Sequence, residues 1–387
     1  MLGLIIFGVL LLGGAAYRFM TARTKTLQGR IAAIEADTES AKTRTDAEKA
    51  AEKAAKRARD AAAVVALGFV AEADLDTEQG QPVAPERTAA VAAVRSGDWE
   101  AGAVYVAAAG RDWEERWQRV RALAEVAAED DAWLLAWRAA YPSDPTAALV
   151  DADTAVRVAW NVRGSQAGSR TTQEQFRLFH ELLVKAQSRA HEAQRLADPA
   201  DPVPYMVEQP IAQGLGYPHD QYGTLWAEIT GRDPKILTAH TTALQYWCEK
   251  WRGSHELALA FARGSAASGA PGELLSLLPL VAYVEQELHD EELAPETFFK
   301  EPGVRAAVDA ALADLGAADP ADRRAVRLRH VLAWLLFWQD RDAEAVEQFQ
   351  VIDGYIGALP WYYAGSPKGR YLYARDWAVL ATAGDGT

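Results

Sequence analysis

Residues 243–256 (ALQYWCEKWRGSHE) hold the side chains best suited to chemistry: a thiol at Cys248, an imidazole at His255 and two carboxylates. A thiol beside an imidazole can act as an activated nucleophile, and thiolate, imidazole and carboxylate all bind Zn²⁺. Metal ligands on one helix must lie one turn apart, whereas His240 and Cys248 are two turns apart and His255 follows a turn. The spacing therefore favours a structural hairpin, with Cys248 as a buried, inert thiol.

The hairpin is predicted from its apolar spacing and from its turn residues. In a helix that starts near Pro234, steps of four, three and four residues place one set of side chains on a single face: His240, Leu244, Trp247 and Trp251. We expect this helix to end near Arg252, with Gly253 at the C′ position and Ser254 capping the next helix.

The remaining histidine and acidic motifs do not form a site either. His180 and His191 share a helix face but lie about 16 Å apart along its axis. Their helix is predicted to begin with a capping box formed by Thr171 and Glu174. The acidic run at 289–292 (HDEE) is interpreted as a solvated helix end rather than a cation site. We therefore assign no catalytic or metal-binding residue, expect no cofactor, and do not expect an enzyme.

Two further motifs carry binding hypotheses. The loop at 163–170 (RGSQAGSR) places Arg163 and Arg170 around a Gly/Ser run that could cradle an anion, although a plain loop is favoured because P-loop and nucleophile-elbow residues are missing. The tail at 359–377 (LPWYYAGSPKGRYLYARDW) is rich in aromatic residues. These residues either close the end of a helical array or dock a peptide from a partner. The docking hypothesis assigns that role to Trp361, Tyr362, Tyr363, Tyr371 and Tyr373.

Composition restricts the classes of function. The 387-residue chain has a net charge of −14, so binding to the phosphate backbone of a nucleic acid is not expected. Residues 18–60 are the exception, because they hold 11 Lys and Arg against 7 Asp and Glu. The single cysteine excludes an internal disulfide framework and any zinc or iron–sulfur site built from several cysteines of one chain.

An uncharged apolar run at 2–17 (LGLIIFGVLLLGGAAY) predicts a membrane anchor over residues 1–20. Nineteen helical residues span roughly 28 Å, enough for a hydrocarbon core if Arg18 reaches the interface. The alternative, a cleaved signal peptide, lacks a basic start and a good cleavage site. Arg18, Arg23, Lys25 and Arg30 follow the anchor, so we expect a single-pass protein with its amino terminus outside and its body in the cytoplasm.

A helical stalk and then a helical body are predicted beyond the anchor. Residues 21–71 are rich in Ala, Lys, Arg and Glu, and form either a weak coiled coil, which would make a homo-oligomer, or a solvated spacer helix. Residues 72–88 contain Pro and Gly and are predicted to be a linker. From 89 to 387 we expect only helices, started by Asp-Pro caps at Asp144, Asp198, Asp201, Asp233 and Asp319.

Four Gly- or Asp-containing turns, each followed by an apolar run, predict pairs of antiparallel helices: 96–106, 217–229, 252–262 and 339–349. The stretches at 96–109 (SGDWEAGAVYVAAA) and 334–349 (WLLFWQDRDAEAVEQF) resemble the turn and second helix of the tetratricopeptide repeat. The turns at His219 and His255 lie 36 residues apart, near that repeat's period of about 34. The resemblance implies an all-α fold in which a degenerate tetratricopeptide-like solenoid follows the anchor and stalk.

A second resemblance covers about a third of the chain. Residues 142–267 are similar to a helical domain family of actinobacterial proteins through LVDADTAVRVAWNVRGS, DPVPYMVEQPIAQGLGYPHDQYGTLWAEITGRDP and HTTALQYWCEKWRGSHE. This resemblance implies a helical fold and no activity. The leading hypothesis is a membrane-tethered adaptor that binds a protein partner. The alternatives are an enzyme, of hydrolase type or metal-dependent, with residues drawn from distant parts of the chain, and a structural coiled-coil stalk protein.

Overall fold

A computed structural model describes residues 48–164, 172–363 and 366–384, with the side chain of Tyr363 left out. The chain divides into two compact units, residues 1–68 and residues 69–387. Among the described residues there are helices and turns and one isolated bridge, but no strand, so this part of the protein is all-α as predicted. None of these helices is long and apolar enough to span a membrane. The predicted anchor and the first part of the stalk, up to residue 47, lie outside the described residues.

The first unit contains helix α1, which covers residues 48–66. The second unit contains the following helices, listed in chain order: α2 (Pro85–Arg95), α3 (Trp99–Ala107), α4 (Trp113–Ala127), α5 (Ala132–Ala140), α6 (Pro145–Arg163), α7 (Gln173–Leu196), α8 (Val203–Leu215), α9 (His219–Thr230), α10 (Leu237–Trp247), α11 (His255–Ser268), α12 (Leu277–His289), α13 (Pro295–Phe298), α14 (Pro302–Ala317), α15 (Ala325–Trp338), α16 (Asp342–Ile352) and α17 (Pro367–Gly384). Short 3₁₀ turns lie at Glu72–Asp74 and Trp361–Tyr363.

The main contacts between these helices join near neighbours in sequence. The most extensive is between α6 and α7, followed by α15 with α16. One hydrophobic cluster runs from α2 to α10 and includes buried Trp117, Trp133 and Trp137. Such neighbour-to-neighbour packing is typical of a helical-repeat fold, in which each unit buries its apolar face against the next.

All four predicted inner turns precede a helix, namely α3, α9, α11 and α16. Asp98 Oδ1 accepts a 3.0 Å hydrogen bond from the Ala101 amide and caps α3. Ser254 caps α11, as predicted, by accepting from the Leu257 amide at 3.2 Å. In each cap a side-chain oxygen accepts a hydrogen bond from a backbone amide of the first turn, which would otherwise have no partner.

The Asp-Pro prediction holds fully at one place. Asp144 accepts hydrogen bonds from the Thr146 and Ala147 amides and caps α6, with proline at the first helical position. Asp198, Asp201, Asp233 and Asp319 instead accept from the amide two residues on, in turns that precede a helix. Because proline has no amide hydrogen, the first amide that the aspartate can reach lies two residues on, whether or not a helix follows.

Two predicted helix ends were wrong. The capping box of α7 is formed by Thr172 and Gln175, one residue after the predicted Thr171 and Glu174. The two registers have the same chemistry, so the sequence alone does not separate them. Helix α10 ends at Trp247 rather than Arg252.

A tight turn at residues 248–253 explains the early end of α10. Cys248 has an extended backbone, with φ −72° and ψ 151°. A Cβ at Gly253 would lie 1.7 Å from the Trp247 carbonyl oxygen, so only glycine fits there. Trp251 therefore leaves the predicted helix face and packs edge-on against Trp160, with ring centroids 5.5 Å apart.

Residues 69–84, which we call the strap, run along the carboxyl-terminal helices. The Asp76 amide donates to the Gly354 carbonyl at 3.0 Å, and the Ile356 amide donates back to the Asp76 carbonyl at 2.7 Å. A Cβ at Gly357 would lie 2.3 Å from the backbone of Glu78, so glycine permits this close approach. Most of the segment predicted as a linker is thus hydrogen-bonded to the other end of the body.

A second long-range contact joins α4 to α10. Glu114, in the first turn of α4, accepts a 3.0 Å hydrogen bond from the Thr238 amide in the first turn of α10, and a short hydrogen bond from the Thr238 hydroxyl. Arg327 of α15 donates to the same hydroxyl at 3.3 Å. The residue before α10 supplies no side-chain cap, so a glutamate from another helix does so.

We expect Glu114→Ala to lower the free energy of unfolding by about 1–2 kcal/mol, because α10 loses its cap. The measurement is urea unfolding followed by circular dichroism. Glu100→Ala is the matched control, since Glu100 holds the same position in the first turn of α3 and is exposed. The control should change stability by less than about 0.5 kcal/mol. Equal losses in both variants would refute the capping role of Glu114.

Candidate functional site

The Cys248 region lacks the contact that nucleophilic chemistry would need. Cys248 is buried, and its thiol donates to the Leu244 carbonyl at 3.3 Å. Burial, together with the charge of Glu285, raises the pKa of this thiol to about 12, so the thiolate is not formed near neutral pH. His255 pairs with Glu249, with Nε2 and Oε2 2.9 Å apart. In the part of the chain that the structure describes, no three His, Cys, Asp or Glu side chains are grouped to hold a metal ion.

Arg163, one of the two predicted anion ligands, packs against two indole rings that also contact each other. Its guanidinium carbon is 5.5 Å from the ring centroid of Trp160 and 5.2 Å from that of Trp251. Burial against these rings lowers the pKa of Arg163. Arg170 lies outside the described residues, so anion binding by the pair remains a prediction.

Two of the five predicted docking residues belong to the core. Trp361 and Tyr371 are 0 and 1 % exposed, and their rings meet edge-on at 5.2 Å. The Trp361 indole N–H donates to His330 Nδ1 at 2.8 Å, and His330 Nε2 donates to the Gly80 carbonyl at 2.9 Å. These two aromatic side chains therefore close the end of the helical body, which is the cap interpretation, and they are not accessible to a partner.

Two other predicted docking residues are accessible. Tyr362 and Tyr373 are 54 and 55 % exposed, and the sequence analysis did not single out Trp377, which is 59 % exposed one turn after Tyr373. The side chain of Tyr363 lies outside the description. Tyr373 also packs edge-on against Phe337, with centroids 5.5 Å apart. Docking of a partner at Tyr362 and Tyr373 therefore stays a prediction.

A groove between amino-terminal helices of the second unit carries more polar groups. Its first section has a volume of about 610 Å³ and lies between α2, α4 and α6. Each helix contributes side chains at successive turns, and one residue that follows α4 completes the lining: Arg87, Val91 and Arg95 from α2; Ala122, Glu125 and Val126 from α4; Glu129 just after α4; Arg157 and Asn161 from α6. The strap closes one border of the section through Gln79 and Val83.

A second section, of about 460 Å³, continues towards α7. The two sections share Ala128 and Glu129, so they form one surface that we call the α4–α6 groove. The floor of the second section is lined by Ala127, Ala155, Val158 and Leu182. Its sides carry charge: Asp130 and Asp131 in the connection between α4 and α5, and Lys185 and Arg189 on α7. An apolar floor with charged sides is the usual composition of a peptide-binding surface.

Ion pairs organise the first section. Glu125 bridges two helices, because its Oε2 is 2.8 Å from Arg87 Nη2 and its Oε1 is 2.7 Å from Arg157 Nη2. Arg95 pairs with Glu129 at 2.7 Å. Burial raises the pKa of Asp153, which lies one turn before Arg157, while burial and the charge of Arg121 lower the pKa of Arg157.

The sequence analysis did not single out the groove residues. Arg87 and Arg95 are two turns apart on α2, and Arg121 and Glu125 are one turn apart on α4, so each pair lies towards one side of its helix. That spacing was readable from the sequence but is also the ordinary pattern of a solvated helix. Only the packing of α2, α4 and α6 side by side brings these faces together.

Comparison with models of protein families, with curated proteins and with solved structures finds no match to this chain.

The buried imidazole of His330 predicts a specific loss of stability in acid. Burial lowers the pKa of His330 to about 4, whereas the unfolded chain should titrate near 6.5. As pH falls, His330 therefore takes up a proton in the unfolded state before it does so in the folded state. Its contribution to the free energy of unfolding is complete above about pH 6.5 and is lost as pH falls towards 4. The full difference corresponds to about 3 kcal/mol.

We expect His330→Gln, which cannot titrate, to show a weaker dependence of unfolding free energy on pH between about 6.5 and 4 than the parent protein. Urea unfolding at a series of pH values measures this slope, and the difference between the two proteins removes the contribution of the carboxylates. Parallel slopes would show that His330 is not buried as a neutral imidazole.

Proposed function

We propose that this protein is a membrane-tethered helical-repeat adaptor. In this proposal, residues 2–20 anchor it, the Ala-rich helix spaces it from the bilayer, and the second unit holds a protein partner on the cytoplasmic side. The single observation that carries the binding role is the α4–α6 groove, whose apolar floor continues across both sections between charged sides. A surface that offers buried apolar area and fixed charges suits an extended or helical segment of another protein.

The tetratricopeptide-like assignment rests on the helix pairs. Helix α3 follows a Gly-Asp turn after α2, and α16 follows an Asp-Arg-Asp turn after α15, as the repeat resemblance implies. Neighbouring helices make the main contacts, and lateral surfaces formed by successive helices are where helical arrays bind partners. This pattern supports a degenerate repeat array as the scaffold of the groove.

Site-specific photo-crosslinking of the full chain in its native membranes tests both parts of the proposal. A benzophenone amino acid at Ala92, an exposed groove residue of α2, should give discrete protein adducts in the membrane fraction that require detergent for extraction. The matched control is the same amino acid at Val104, which is 70 % exposed on the adjacent helix α3 and does not line the groove. Equal adducts at both positions would contradict a groove partner, and recovery of the full chain in the soluble fraction would contradict the tether.

A further inference from the structure

The first section of the α4–α6 groove is a local exception to the charge of the chain. The whole protein carries a net charge of −14. The lining of this section, however, holds three guanidinium groups (Arg87, Arg95 and Arg157) and two carboxylates (Glu125 and Glu129). The charge of Arg121 acts on Arg157 and on the buried Asp153 from beside the section. A cationic strip on an acidic protein attracts anionic partners, while the rest of the negatively charged surface repels them.

The geometry between α2 and α6 already accommodates a carboxylate. Arg87 and Arg157 come from different helices, yet both donate to one carboxylate, that of Glu125, at 2.8 and 2.7 Å. Guanidinium groups present several donors in a planar fork, so one contact leaves other edges of each group available. Helices α2 and α6 therefore hold their arginines at the separation at which a carboxylate lies between them.

Unused donors remain beside this position. The Nε atom of Arg157 is buried and lies 3.8 Å from Asp153 Oδ2, beyond hydrogen-bond distance, and neither atom has a hydrogen-bond partner among the described residues. Arg121 lies one turn before Glu125, is exposed, and forms no ion pair in the described part of the chain; its guanidinium carbon is 5.7 Å from the Trp117 ring. The Arg157 Nε atom is enclosed and faces Asp153, so the exposed guanidinium of Arg121 is the group that can take an additional anionic group.

We infer that the first section of the groove binds a protein segment whose acidic side chains alternate with apolar ones, with the carboxylates on the arginines and the apolar side chains on the floor. The floor is formed by Val91, Ala92, Ala122 and Val126, small side chains that leave room for those of the partner. This inference rests on the proposed function and adds the chemical class of the partner.

Two labelled short peptides test this inference with the full chain in detergent micelles. They share the same valine, leucine and alanine residues, and differ only in carrying glutamate or lysine between them. Fluorescence anisotropy should show that the glutamate peptide binds at least about tenfold more tightly than the lysine peptide. Arg121→Glu should lower the affinity for the glutamate peptide at least about tenfold and raise the affinity for the lysine peptide.

Arg111→Glu is the matched control, because it makes the same charge change at an exposed arginine between α3 and α4, outside the groove. It should change the affinity for the glutamate peptide by less than about twofold, and circular dichroism should show both variants folded. Equal effects of the two substitutions would overturn the inference, as would equal binding of the two peptides or no binding of either.

An anionic lipid surface is the competing ligand. The full chain could bind phosphatidylserine-containing vesicles, lose that binding in Arg121→Glu, and fail to bind the glutamate peptide. That result would assign the arginines to the membrane and overturn the inference. If groove-specific cross-links form at position 92 while the glutamate peptide is not preferred, the acidic partner is wrong and the proposed adaptor function stands. If groove-specific cross-links do not form either, the acidic partner and the proposed adaptor function are both wrong.

Discussion

The strap, residues 69–84, is the constraint on which the second unit depends. Its backbone carbonyl groups accept hydrogen bonds from buried side chains near the far end of the chain. His330 Nε2 donates to Gly80, and the guanidinium of Arg375, which is 1 % exposed, donates to Val70 at 2.7 Å. A buried imidazole or guanidinium that loses such an acceptor carries the full cost of desolvation, so these contacts determine where the strap lies.

The position of the strap also affects the groove. It leads directly into α2, and its residues Gln79 and Val83 border the first section of the α4–α6 groove. Helix α2 supplies Arg87 and Arg95, whose distances to Glu125 of α4 and to Glu129 just after α4 depend on where α2 begins. The same hydrogen bonds that close the end of the body therefore help to position the arginines proposed to meet a partner.

Local features were readable from the sequence, and contacts between distant segments were not. The caps at Asp98, Asp144 and Ser254 follow from short patterns in which a side chain reaches its own helix. The end of α10 was misplaced because the turn at Gly253 depends on packing of the backbone against Trp247. For Trp361 the sequence left both a buried cap and a docking surface open, since its burial depends on contacts such as that with His330, 31 positions away.

The groove and the strap have the same origin in long-range packing. A Pro- and Gly-containing stretch predicts a linker, and nothing in its composition shows that the carbonyl of Gly80 meets an imidazole 250 residues later. Likewise, arginines on one side of a helix are expected to be solvated side chains. Only the packing of neighbouring helices shows that a carboxylate lies between them. The arginine-lined groove is therefore recognisable only from the packed structure.

Comparison of two fragments, residues 69–387 and residues 86–387, tests most directly whether the strap holds the body together. Removing the strap deletes buried Phe69 and Leu75 and leaves His330 and Arg375 without their backbone acceptors. We expect the free energy of unfolding in urea to be at least about 3 kcal/mol lower for the shorter fragment than for the longer one. Equal unfolding free energies for the two fragments would contradict the role assigned to the strap.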